Sequence, residues 1–167
     1  TFAVVAVKPG RTMPPAVLDL LGRRSLGEIP FEPDDHVTWT DERRTVAFGG
    51  WQVAADLAGV GSHWSVGPAG VTAFSGIPRV RGEAAPSAVG WAEHLAATVA
   101  GRDARAVSEA VAGVYSIVSI GGNGAGFVVA DPIGIGLLYR AETDDIVVVS
   151  SRASLAARLV TPPGQEP

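Results

Sequence analysis

The first residue of this 167-residue chain is a threonine, followed at once by the apolar run Phe2–Val7. A threonine hydroxyl beside a free α-amine combines nucleophile and general base in one residue, because the amine can take the hydroxyl proton. Thr1 is therefore a candidate nucleophile. It is also what removal of an initiator methionine would leave, or simply where the chain starts, and its position alone does not separate these readings. The 167 residues contain no cysteine, which rules out thiol nucleophiles, disulfides and thiolate metal sites within them. His36, His63 and His94 lie far apart in sequence with no metal-ligand spacing, so they read as packed or solvated side chains. Gly121-Gly122-Asn123-Gly124 is glycine-rich but lies between two apolar runs with strand character. A phosphate loop opens a helix, so this stretch reads instead as a tight hairpin turn. The residues predict no cofactor or metal site.

The bulk properties narrow the class. Hydrophobic residues make up 47% of the chain and charged residues 18%, which is a globular balance. The net charge is -4 and there is no long basic run, so nucleic acid is not an expected partner. No apolar stretch approaches the roughly 18 residues of a membrane span, and no signal-peptide pattern opens the chain. The expectation is a cytoplasmic protein that contacts no membrane. One domain is predicted over residues 1–160, with the Pro-rich segment 161–167 as a frayed tail or the start of a linker.

The elements that would position Thr1 follow from periodicity and turn signals. Phe2–Val7 is predicted as a buried strand, ended by Pro9-Gly10. Residues 14–21 read as a short helix with proline at its start, and 22–35 as a loop. Residues 37–40 and 45–51 form a predicted strand pair across the polar turn 41–44. Residues 54–68 read as loop with a short strand, and 71–74 as a strand broken by Ser75-Gly76. Residues 79–85 read as a polar connection. A helix over 87–100 carries the stripe Val89, Ala92, Leu95, Ala96 and Val99, with Ser87 as its cap and Gly101 as its stop. A short helix follows over 104–111. Four apolar runs (113–120, 126–131, 135–140 and 146–151) then read as one antiparallel meander, closed by a helix over 151–159. About eight strands and three or four helices in two strand groups indicate an α+β fold.

Within that meander, the turn Asp131-Pro132-Ile133-Gly134, the run Leu137-Leu138-Tyr139-Arg140 and the exit Ser150-Ser151 resemble the second half of the class II glutamine amidotransferase domain of asparagine synthetase-like enzymes. The resemblance covers most of the chain and is carried by residues 74–159. It implies an N-terminal nucleophile (Ntn) hydrolase fold, a four-layer αββα sandwich of two antiparallel sheets. In that family an N-terminal cysteine attacks the glutamine amide, its own α-amine acts as the base, and ammonia passes to an ATP-using synthetase domain. On this chain the resemblance puts Thr1 at the nucleophile and Ser75-Gly76 at the oxyanion pair, where the family has Asn-Gly. Gly76 is kept, but the serine hydroxyl is a shorter donor than an asparagine amide. Trp64 falls near the position of the arginine that holds the substrate carboxylate. The segment 87–93 lacks the aspartate that holds the substrate amine, with Glu93 the one acid nearby. Asp131 and Gly134 are assigned to building the turn.

Cysteine, asparagine, arginine and aspartate are thus all replaced together. The pattern resembles the diverged domains of β-lactam synthetase and lasso-peptide cyclases, which take no nitrogen from glutamine. It implies a non-hydrolytic domain serving an ATP-dependent amide-bond-forming enzyme, in peptide natural-product biosynthesis. The implied partners are a synthetase domain, in cis or in trans, and a peptide substrate. ATP and Mg²⁺ are implied for that synthetase domain alone, whose Ser-Gly-Gly-x-Asp-Ser pyrophosphate loop does not occur in this chain. Two other expectations stay open: an active N-terminal threonine amidohydrolase using Thr1, and a standalone scaffold or binding domain.

Overall fold

The computed structural model of the chain describes residues 1–29, 32–52, 62–83, 90–162 and 164–165. Among these residues it is an α+β protein with nine strands, all paired antiparallel, in sheets of five and four, and with four helices. It divides into two compact units, Thr1–Val53 with Leu138–Pro167, and Ala54–Leu137.

The first unit is built on β1 (Phe2–Val7), which is central in the sheet. Its neighbours are β3 (Val46–Gln52) and β9 (Ile146–Ser150), with β2 (Asp35–Thr40) and β8 (Tyr139–Glu142) at the edges, in the order β2-β3-β1-β9-β8. A central strand buried on both faces needs no apolar–polar alternation, which is why β1 reads as an unbroken apolar run. Strand periodicity turns Ala3, Val5, Ala47, Trp51, Ile146 and Val148 to one face. There they form a core with Val17 and Leu21 of α1 (Pro15–Leu21) and with Leu155, Ala156 and Leu159 of α4 (Ala153–Val160). Trp51 is fully buried, and its indole N–H donates to the Arg23 carbonyl at 2.9 Å. Gly49 makes room for it, since a Cβ there would come within 2.7 Å of the indole and 2.9 Å of Leu21. The predicted turn at 41–44 closes the β2–β3 hairpin. Asp41 fixes it by accepting from Val46 N–H at 2.7 Å and from the Thr45 hydroxyl at 2.8 Å.

The second unit carries the sheet β4-β5-β6-β7, formed by β4 (Trp64–Gly67), β5 (Gly70–Val80), β6 (Val111–Gly121) and β7 (Gly126–Ala130). Helices α2 (Trp91–Val99) and α3 (Ala104–Ala110) cover one face, with Trp91, Leu95, Val99 and Val107 against Phe74, Tyr115 and Ile117. Asp103 caps α3 by accepting from Ala106 N–H at 2.8 Å.

Three expectations are corrected. The four runs after residue 112 are not one meander: β6 and β7 belong to the four-stranded sheet, whereas β8 and β9 belong to the five-stranded one. Ser75-Gly76 does not break its strand, because β5 runs on to Val80 in unbroken register with β6. The predicted polar connection at 79–85 therefore starts only after Val80. The predicted strand 135–140 begins only at Tyr139, because the buried Asp131 carboxylate captures the N–H groups ahead of it. It accepts from Ile133 at 3.1 Å, from Ile135 at 3.3 Å and from Gly136. That curl leaves Ile133, Ile135 and Leu137 exposed. The expected Ser87 cap and the start of its helix lie outside the described residues, as does most of the predicted loop 54–68.

Candidate functional site

Thr1 heads β1 of the first unit, and Ser75 and Gly76 are neighbours on β5 of the second. Each place is therefore built by its own sheet.

Thr1 is half-buried and held by its backbone. Its α-ammonium donates to the Trp51 carbonyl at 3.0 Å, and its carbonyl accepts from Trp51 N–H at 2.9 Å. These bonds extend the β1–β3 ladder by one residue and fix the amine in place. Burial, and then the Arg152 guanidinium, push the amine down from 8.0 to about 6. Both act against the charged form, the first by removing water and the second by like-charge repulsion. In a chain that begins at Thr1, the amine is then mostly neutral near pH 7 and able to accept a proton. Sequence reasoning missed Arg152. The signal was register: Ala3 pairs with Ser150, and two further steps set residue 152 opposite residue 1.

On β5, Ser75 is half-buried and paired with Ser116, and Gly76 is exposed and paired with Tyr115. Gly76 has φ +88, in the left-handed region that favours glycine, and a Cβ there would collide with the Val114 carbonyl. Glycine is thus required at this position whatever its chemistry. Phe74 N–H donates to the His63 carbonyl on the β4 side at 2.9 Å. Of the expected pair, the Gly76 N–H belongs to the backbone, whereas the Ser75 hydroxyl is a side-chain donor.

The position where an arginine is expected to hold a substrate carboxylate offers no charge. Trp64 is buried in β4 at 8% exposure. Glu93 is exposed on α2, and residues 87–89 of the expected aspartate segment lie outside the described residues. His63 packs its ring 4.9 Å from Phe74, and burial pushes it down to about 4, so it is neutral at physiological pH. Among the described residues no three His, Asp or Glu side chains converge as a metal site would need.

The second unit also holds an open cavity of about 850 Å³ over the end of its sheet, lined by Ser65, Thr72, Ser119 and Phe127. Thr72 and Ser119 bond each other at 3.0 Å. Arg102 and Asp103 stand exposed at its margin, with Asp103 already engaged as the α3 cap. Such a lining offers little to a reaction. No protein-family model, no curated protein and no solved structure matches the chain.

Proposed function

We propose that this chain is an amidotransferase-like domain that does not hydrolyse glutamine and that serves an ATP-dependent amide-bond-forming domain, in cis or in trans. The observation that carries this reading is Trp64, buried where the resemblance calls for an arginine. An indole has one neutral N–H donor and no charge, so it does not replace a guanidinium that holds a carboxylate. Ser75 in place of asparagine removes a donor of a kind whose loss typically costs about 10²–10³ in rate. The four-layer αββα stacking, the peptide natural-product setting and the cytoplasmic location belong to the same proposal. ATP and Mg²⁺ are assigned to the partner domain. The test is ammonia release from glutamine by the purified chain. The reading expects a rate equal to buffer, and ammonia release that disappears in Thr1→Ala would overturn it.

A second reading is favoured by one specific observation, the Thr1 amine brought down to about 6. In that reading Thr1 is the nucleophile of an amidohydrolase with another substrate. The Thr1 hydroxyl oxygen bonds to the acyl carbon as its proton passes to the α-amine. The amine then protonates the departing nitrogen, and water hydrolyses the ester that remains. Incubation with an electrophilic amide analogue and mass spectrometry of the N-terminal peptide decides it: an adduct on Thr1 supports this reading, and an unmodified peptide removes it.

A further inference from the structure

In the second unit most acidic side chains are engaged. Glu109 pairs with Arg105 at 3.1 Å, Asp103 caps α3, and Asp131 is filled by backbone N–H groups. Glu83 lies 2.9 Å from His94 Nε2, close enough to pair with the ring when it is protonated. His94 is itself steadied by the buried Trp91, with ring centroids 5.9 Å apart. Arg81 and Arg102 are left over. Among the described residues neither guanidinium has an ion pair or a hydrogen bond.

Both arginines line one open cavity of about 410 Å³ at the far end of β5. They are distant in sequence, and the backbone brings each to the cavity separately. Arg81 N–H donates to the Ala110 carbonyl at 2.8 Å, one step past the last β5–β6 pair, Val80 with Val111. Gly101, at φ +70, turns the chain out of α2, and Arg102 N–H then donates to the Val99 carbonyl at 3.1 Å. Val80, Ala97 and Ala110 give the same cavity an apolar wall. Glu83 is the one acid among its described lining residues, and His94 faces it.

A guanidinium keeps its charge at any ordinary pH, so two in one lining attract an anion with more than one charge. The planar fork of arginine matches the oxygens of a phosphate, and a phosphomonoester carries about -1.5 to -2 near pH 7. The cavity falls within the roughly 300–1,000 Å³ of small-molecule sites, which leaves room for an organic group beside the phosphate.

We propose that this cavity binds a small phosphomonoester. Arg81 and Arg102 hold the phosphate, and the apolar wall takes the organic group. The site lies wholly within the second unit and involves neither Thr1 nor Ser75, so the inference does not depend on either reading of function.

The test follows the backbone amides of residues 81, 98 and 102 by NMR while the chain is titrated with phenyl phosphate. Parallel titrations use benzoate, phenol, inorganic phosphate, and sodium chloride at matched ionic strength. Phenyl phosphate should give saturable shifts, benzoate and inorganic phosphate should bind more weakly, and phenol and chloride should give no comparable shift. Arg81→Gln and Arg102→Gln should each weaken phenyl phosphate about tenfold. Arg79 is exposed on the same strand and does not line the cavity, so Arg79→Gln should leave binding unchanged. Equal shifts with chloride would overturn the proposal, as would benzoate or inorganic phosphate binding as tightly as phenyl phosphate. So would unchanged binding in the Arg81→Gln and Arg102→Gln variants, or a loss in Arg79→Gln as large as theirs. The titrations of the unmodified chain need no variant, so a variant that fails to fold leaves the proposal open to refutation.

Discussion

Asp131 and Arg152 are two charged residues placed just after strands, and their surroundings are opposite. Asp131 follows β7, and its carboxylate is filled by the N–H groups of Ile133, Ile135 and Gly136. Arg152 follows β9, and its Nε is buried with no acceptor among the described residues. The first has no capacity left for a ligand, and its work is structural. The second has an Nε without an acceptor among the described residues, and by register it stands opposite Thr1. The comparison separates a charge whose bonds build the fold from one whose Nε makes none among the described residues.

The largest expected effect falls on the filled site. Asp131→Ala leaves three N–H groups without their acceptor. The measurement is the urea midpoint, and Asp131→Ala should lower it more than any substitution at Arg152. Gly136→Ala attacks the same segment, because its Cβ would collide with the Tyr115 carbonyl, which the backbone cannot move aside. Overpacking of this kind costs about 1–3 kcal/mol, measured by the same denaturation.

Acid should reveal the same residue. Burial pushes the Asp131 carboxyl up, but the N–H groups of Gly136, Ile135, Tyr115 and Ile133 outweigh it and hold the group below its ordinary value. A depressed folded-state value means that protonation favours the unfolded chain. The stabilisation is fully present above the ordinary carboxylate range and is lost as pH falls through the folded-state value. The melting temperature followed from about pH 6 to pH 2 should fall, and Asp131→Asn should flatten part of that fall. Asp41 behaves alike, since the N–H groups of its hairpin and the Thr45 hydroxyl overcome the effect of burial.

The smallest stability effect is expected at Arg152. Arg152→Leu removes a buried donor that has no acceptor among the described residues, so its stability change should lie within about 1 kcal/mol of zero in either direction. A loss as large as that of Asp131→Ala would erase the distinction. The same region has a chemical readout. N-terminal acylation of the chain beginning at Thr1 should reach half its maximal rate near pH 6, and Arg152→Gln should move that midpoint upward.

Much of this was legible in the sequence where one local rule governed. The run Phe2–Val7 reads as a buried strand because burial on both faces removes alternation, and α4 and the hairpin at 41–44 follow from pattern and turn chemistry. The misreadings share a cause. Ser75-Gly76 looks like a strand break, yet a glycine at φ +88 lets β5 continue past it. Residues 135–138 belong to an apolar run that reads as a strand, yet a carboxylate four residues upstream takes the N–H groups of Ile135 and Gly136. The meander was split because strand order is a property of the sheets, and four successive strands carry no mark of where the chain changes sheet. Arg152 was invisible for a related reason: its place opposite Thr1 comes from the β1–β9 register, and the serines before it read only as a helix start.

The account holds that glutamine chemistry is absent because recognition is lost, and not only because the first residue is threonine. Thr1→Cys restores the family's nucleophile and leaves Trp64 and Ser75 as they are. The account predicts that this variant, confirmed to begin at residue 1, releases no ammonia from glutamine above buffer. Ammonia release by Thr1→Cys would contradict it.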